Sequence, residues 1–206
     1  MWDAERMCTF SIRCRLRSAL VILLAVFAPG GIGLAAFGQR PQPPATILLI
    51  RHSEKLTNGE SNLSPVGFAR AKVIPKLFDG VGAIAPHNLP RPDFLFATQV
   101  SKKSNRPVET ITPLSQALGL PISSEIADKD FATLAAELLS GKYAGKVVLV
   151  AWHHGSLPGF AQALGATPPY DPWPETQFDR VWRIDFPDGK ATLTDLPQGL
   201  LAGDSK

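Results

Sequence analysis

Three stretches of the chain, 46–50, 93–98 and 146–152, run almost without a polar position and are rich in Val, Ile, Leu and Phe. Short continuous apolar runs are the pattern of strands buried on both faces, as in a parallel sheet. Between them the spacing becomes helical. Ser64-Pro65 reads as an N-cap and first helical residue, with Val66, Ala69, Val73 and Leu77 following on one face and Pro75 breaking the helix near its end. A second helix is predicted over 107–118, with Pro113 inside it and Gly119 terminating it. Asp130 opens a third helix with Phe131, Leu134 and Leu138 inward, and Ser156 a fourth bearing Leu157, Phe160, Ala161 and Leu164. The last segment reads as a hairpin: 178–186, a Pro187-Asp188-Gly189 turn, then 191–196. Strands alternating with helices predict one three-layer α/β domain over 46–206. Its sheet is mostly parallel, with helices on both faces and a C-terminal hairpin.

The first 38 residues follow another pattern. Arg6, Arg13, Arg15 and Arg17 precede an uncharged run over 19–28, and small residues continue to Gly38. This is the order of a secretory signal: basic, apolar, then small residues at a cleavage site. An apolar core of about ten residues is short for a membrane span, and an uncleaved N-terminal membrane anchor is the alternative. Residues 39–45, with three prolines, read as a linker. The expected location is secreted or periplasmic, with membrane contact only through the N-terminal segment if it is retained.

Composition adds exclusions. Hydrophobic residues make up 45% and charged ones 19% of 206, a globular balance. The net charge of +3 falls to 17 basic against 16 acidic residues once 1–38 are set aside. With no basic block in the body, nucleic acid is not an expected partner. Cys8 and Cys14 are the only cysteines, so beyond residue 38 there is no thiol nucleophile, thiolate metal site or disulfide.

Candidate chemistry sits at the ends of two strands. The first apolar run ends in Arg51-His52 and the last in His153-His154-Gly155. In open α/β sheets ligands bind beyond the carboxyl ends of the strands, so both sets are expected on one rim. Arg106, at the start of the helix after the second strand, joins them. Arginine forks and helix N-termini suit a tetrahedral dianion such as phosphate. The competing reading makes the arginines surface ion-pair partners of little energetic value. Because strand side chains alternate between faces, one of His153 and His154 is expected outside the site.

Arg51-His52-Ser53-Glu54, followed by Leu63-Ser64-Pro65-Val66-Gly67-Phe68-Ala69-Arg70-Ala71, resembles the opening motifs of the histidine phosphatase (phosphoglycerate-mutase-like) superfamily. Ser104-Asn105-Arg106-Pro107-Val108-Glu109-Thr110 resembles its middle motif, an arginine followed four residues later by threonine. Residues 148–155 resemble its late strand and second catalytic histidine. The resemblance implies His52 as a nucleophile forming a phosphohistidine, with Arg51, Arg106 and His154 holding the phosphoryl oxygens. His154 is preferred to His153 because Gly155 follows it, as in the family. No metal or other cofactor is implied, since the arginines supply the positive charge.

Two positions depart from the pattern. Ser53 stands where the family has glycine, at a cost of roughly 1 kcal/mol if the backbone there requires positive φ. The general acid is unassigned among Glu54, Glu109, Glu125, Asp128 and Asp130. The expected activity is an exported phosphomonoesterase of the histidine acid phosphatase type. Its substrate is a phosphorylated small molecule or a phosphoprotein. A phosphohistidine phosphatase and a catalytically silent phosphate-binding module are the alternatives.

Overall fold

The computed structural model describes residues 41–78 and 89–205. The signal or anchor segment lies outside the described residues, as do the start of the linker and most of the loop predicted over 79–92.

The apolar runs form strands β1 (Thr46–Arg51), β2 (Phe94–Ala97) and β4 (Val147–Trp152). A two-residue strand β3 (Ile122–Ser123), too short to leave a sequence pattern, adds to β2. The hairpin forms β5 (Arg180–Asp185) and β6 (Thr192–Pro197). Among the described residues these make one six-stranded sheet in the order β3-β2-β4-β1-β5-β6. β1 to β4 are mutually parallel where they pair, and β5 and β6 are antiparallel. The helices are α1 (Pro65–Val73), α2 (Arg106–Leu118), α3 (Phe131–Leu138) and α4 (Leu157–Ala163). No helix among the described residues is long and apolar enough to cross a membrane.

Alternation along β1 divides the core. Ile47 and Leu49 pack with Leu134, Leu138, Phe160 and Leu164 of the α3 and α4 side. Leu48 and Ile50 pack with Ile74, Leu77, Ile111 and Leu114 of the α1 and α2 side. The division follows from the right-handed crossover rule. Chain progress from β1 to β2 to β3 runs one way along the sheet and puts α1 and α2 on one face. The return to β4 runs the other way and puts α3 on the opposite face. β1 and β4 are neighbours whose outgoing connections leave to opposite faces, and a crevice opens at their carboxyl ends.

Helix α1 is turned from its predicted face. Val66 is 54% exposed, Ala69 is exposed, and the buried residues are Gly67, Arg70 and Ala71. Two features outweigh the apolar spacing. A Cβ on Gly67 would lie 2.2 Å from the Glu54 carbonyl oxygen, so this face must be bare where it meets the loop after β1. Arg70 donates to both carboxylate oxygens of Glu54 and to Asp204, at 2.7 Å for the shortest bond to each. Elsewhere the predicted punctuation holds in position, although Asp130 and Ser156 make no side-chain cap bond at the starts of α3 and α4. Ser64 accepts the Gly67 N–H, Pro75 falls in a 3-10 turn that ends α1, and Gly119 takes φ +68° after α2.

Candidate active site

β1 delivers Arg51 and His52 to the crevice, and register sets their neighbours: Arg51 pairs with Trp152, and the His52 N–H donates to the Trp152 carbonyl at 3.0 Å. His52 is 1% exposed. Its Nδ1 lies 2.7 Å from the Ser53 carbonyl oxygen. A carbonyl only accepts, so Nδ1 carries the proton, and in the neutral ring Nε2 holds the lone pair. Burial is the main cause pushing the His52 pKa down to about 2; the bond to Ser53 opposes this, while His153, Arg51 and Arg106 add to it. The ring is neutral, with a fixed tautomer and an Nε2 that makes no hydrogen bond among the described residues.

Both histidines after β4 face this ring. The His153 and His52 ring centroids are 5.2 Å apart, and those of His154 and His52 are 6.4 Å apart. The expectation that strand alternation would send one away fails because the strand ends first. β4 stops at Trp152, and the His153 carbonyl accepts the N–H groups of Ser156 and Leu157, a turn into α4. Burial first, then Arg51 and Lys55, lower the His154 pKa to about 4. For His153 burial again lowers it, and Asp128 is the group that opposes the shift.

Arg51 is 1% exposed, and burial lowers its pKa to about 10, so it remains a cation at neutral pH. One arm is occupied: Nη1 donates to the carbonyls of Pro174, Glu175 and Gln177. Nε and Nη2 are buried and have no hydrogen-bond partner among the described residues. Arg106 is the first residue of α2, and its Nη1 donates to the Glu60 carbonyl. Its Nε is likewise buried without a partner among the described residues, as are His154 Nδ1 and Ser53 Oγ. Burial lowers the Arg106 pKa, with Glu109 opposing. Unsatisfied buried donors cost about 1–3 kcal/mol each, and a fold keeps several together where a ligand can take them up.

Thr110 joins the two arginine-bearing elements. Its Oγ1 accepts the Ser53 N–H at 2.8 Å and donates to the Arg106 carbonyl at 2.8 Å. Ser53 is not in the left-handed region, since Asp188 is the only non-glycine with positive φ among the described residues. Serine in place of glycine therefore carries no backbone strain.

The candidate acids separate by their partners. Glu54 is bound to Arg70, and Glu109 accepts the Leu63 N–H. Glu125 and Asp130 are exposed, and Glu125 lines a separate cavity with Glu137 and Lys142. Asp128 differs. Its main-chain carbonyl accepts Trp152 Nε1 at 3.1 Å, its Oδ1 is buried without a partner among the described residues, and its charge acts on His153. A sequence offers five carboxylates of equal standing; only the fold distinguishes the one whose charge acts on His153. Phe178 was not expected in the site, yet its ring centroid is 6.1 Å from that of His52 and 3.8 Å from Arg51 Cζ. The only sequence signal was the aromatic, proline-rich loop just before it.

A scan against protein-family models gives no match, and a search of curated proteins gives none. Solved structures do match. Phosphoserine phosphatase of Entamoeba histolytica, in complex with 3-phosphoglyceric acid, superposes with a TM-score of 0.50 at 16% identity, covering 76% of this chain and 99% of that one. A mutant of the same enzyme, in complex with phosphoserine, gives 0.52 at 14% identity over the same shares. The alpha-ribazole phosphatase of Shigella flexneri gives 0.45 at 16% identity, over 78% of this chain and 100% of that one. The fold of the chain is that of the phosphoserine phosphatase of Entamoeba histolytica, as the motifs in the sequence led us to expect.

Proposed function

We propose that the protein is a phosphatase that works through a phosphohistidine on His52. The observation that carries this reading is the set of buried nitrogens without a hydrogen-bond partner among the described residues (Arg51 Nε and Nη2, Arg106 Nε and His154 Nδ1) gathered around a neutral histidine whose Nε2 holds the lone pair. Phosphoryl transfer asks chiefly for positioning and for charge stabilisation at the equatorial oxygens. Nε2 attacks phosphorus in line as the bond to the leaving oxygen breaks. Water then attacks the phosphohistidine, releasing phosphate and regenerating His52. Arg51, Arg106 and His154 hold the oxygens throughout.

The leaving oxygen takes a proton in the first step, assigned to the protonated carboxyl of Asp128, whose charge acts on His153; the carboxylate left behind takes the proton of the attacking water in the second. Removing that carboxyl matters most for poor leaving groups. Asp128→Asn therefore slows hydrolysis of alkyl phosphates by roughly a hundredfold or more, with a far smaller effect on p-nitrophenyl phosphate. Equal effects on both remove Asp128 from the proton transfer and favour a labile substrate such as phosphohistidine.

Export is part of the proposal and rests on the sequence of residues 1–38, arginines followed by an apolar run and small residues. The test of the activity is turnover of a panel of phosphomonoesters by the protein beside His52→Ala. The reading predicts activity in the first and none in the second; equal turnover in both contradicts it.

A further inference from the structure

Arg51 is a buried cation that the fold does not neutralise. Glu175 and Glu54 act on it only at range, and no carboxylate among the described residues forms an ion pair with it. Three main-chain carbonyls take its Nη1 instead: Pro174 at 3.1 Å, Glu175 at 2.7 Å and Gln177 at 2.9 Å. The Phe178 ring covers the guanidinium with its centroid 3.8 Å from Cζ. The segment is itself fixed. The Gln177 carbonyl also accepts Trp173 Nε1 at 2.8 Å, and Trp173 packs against Trp182 with ring centroids 4.5 Å apart.

Carbonyl dipoles and an aromatic face stabilise a guanidinium without cancelling its charge, whereas a carboxylate would compete with an anionic ligand. They also leave one whole edge of the fork, Nε and Nη2, free for two parallel bonds to phosphate oxygens. We infer that residues 173–178 form a collar that holds Arg51 as a charged, oriented and unneutralised fork, with Phe178 as its positioning residue. The inference rests on the phosphate site proposed above, and adds a specific contribution from a segment with no direct hold on the ligand.

The test is calorimetric titration of the protein with inorganic phosphate, for wild type, F178A, F178L and F178Y, with melting temperatures measured beside it. F178A is expected to weaken phosphate binding roughly tenfold, in line with the loss of a desolvated cation–π contact. F178L keeps the apolar volume and loses the ring's charge distribution, so it should still weaken binding at least about threefold. F178Y keeps the ring and should bind within about twofold of wild type. A role limited to packing predicts affinities that follow the melting temperatures, with F178L equal to F178Y. That result, or undiminished binding by F178A while wild type binds phosphate, overturns the collar alone. Should F178A not fold, the comparison of F178L with F178Y decides. Wild-type protein that does not bind phosphate overturns the site reading and the collar with it.

Discussion

The chemistry proposed for His52 depends on where the ring is buried. An exposed imidazole near pH 6.5 is half protonated and correspondingly poor as a nucleophile. Here burial, followed by the neighbouring His153, Arg51 and Arg106, drives the pKa to about 2, so the ring stays neutral through the acidic range. His154, at about 4, is the first of the pair to protonate as pH falls. The predicted kcat/KM profile, corrected for the ionisation of the substrate, is flat on its acid side down to about pH 5. An acid limb centred near 6.5 in wild type, absent when His154 is replaced, would show that burial does not act as described. At Arg106, Arg106→Lys keeps the charge and loses the planar fork. Its kcat/KM should fall roughly ten- to a hundredfold, the worth of a hydrogen bond to a charged group, while the melting temperature moves little because the side chain's only hydrogen bond within the described residues is to Glu60. The placement of His52 and Arg106 was legible because His52 directly follows β1 and Arg106 starts α2, where one-dimensional pattern and three-dimensional position coincide.

Elements are held in register by polar contacts that leave weak traces in sequence. In α1 the apolar residues pointed to one face and the structure buries another, because one glycine and one arginine decide the packing. Hydrophobic spacing cannot see a close backbone approach or an ion pair that closes over 134 residues. Gly67→Ala puts a methyl group 2.2 Å from a backbone oxygen that cannot rotate away. It should destabilise the protein by about 1–3 kcal/mol, and also reduce activity, since the displaced residue, Glu54, lies two positions from His52. Chemical denaturation beside kinetics checks this; an unchanged midpoint would contradict the close approach. Thr110 ties the loop after β1 to α2 through two 2.8 Å bonds. Thr110→Val keeps the shape but strands the Ser53 N–H, so stability should fall by about 1–3 kcal/mol. Thr110→Ser should retain most of it.

At the scale of the molecule, the crevice at the strand ends exists because β1 and β4 are parallel neighbours whose connections leave to opposite faces. That much was legible, since two apolar runs ending in histidine and each followed by a helix predict one rim. The collar was not, because Arg51 reaches it across 123 to 126 residues and the contacts are to main-chain oxygens, which carry no residue signature. Neither was the turn at His153, where strand periodicity simply ends. The same buried site makes stability depend on pH. His52 and His154 bind protons less readily folded than unfolded, so the unfolded chain takes up more protons below about pH 6.5 and folding weakens as pH falls. Asp204 extends the loss. Its burial is outweighed by hydrogen bonds from Arg70, Leu201 and Leu200, which hold its carboxyl below the ordinary value. Its contribution is complete above the unfolded value near 4 and disappears as pH drops through the folded one. Calorimetry from pH 7 to pH 3 should show a melting temperature that declines throughout, with a shallower slope between pH 6.5 and 4 for His52→Asn. A flat profile in wild type would contradict neutral burial of the histidines.

The central claim is that His52 Nε2 forms a bond to phosphorus. The direct measurement is rapid quench of the protein with a labelled phosphomonoester, followed by peptide mapping under alkaline conditions that preserve phosphohistidine. The account predicts a phosphorylated species that is acid-labile and base-stable, that appears before steady-state phosphate release, and that maps to His52 and vanishes in His52→Ala. Turnover with no such species, or label on His153 or His154 with His52 unmodified, would contradict it.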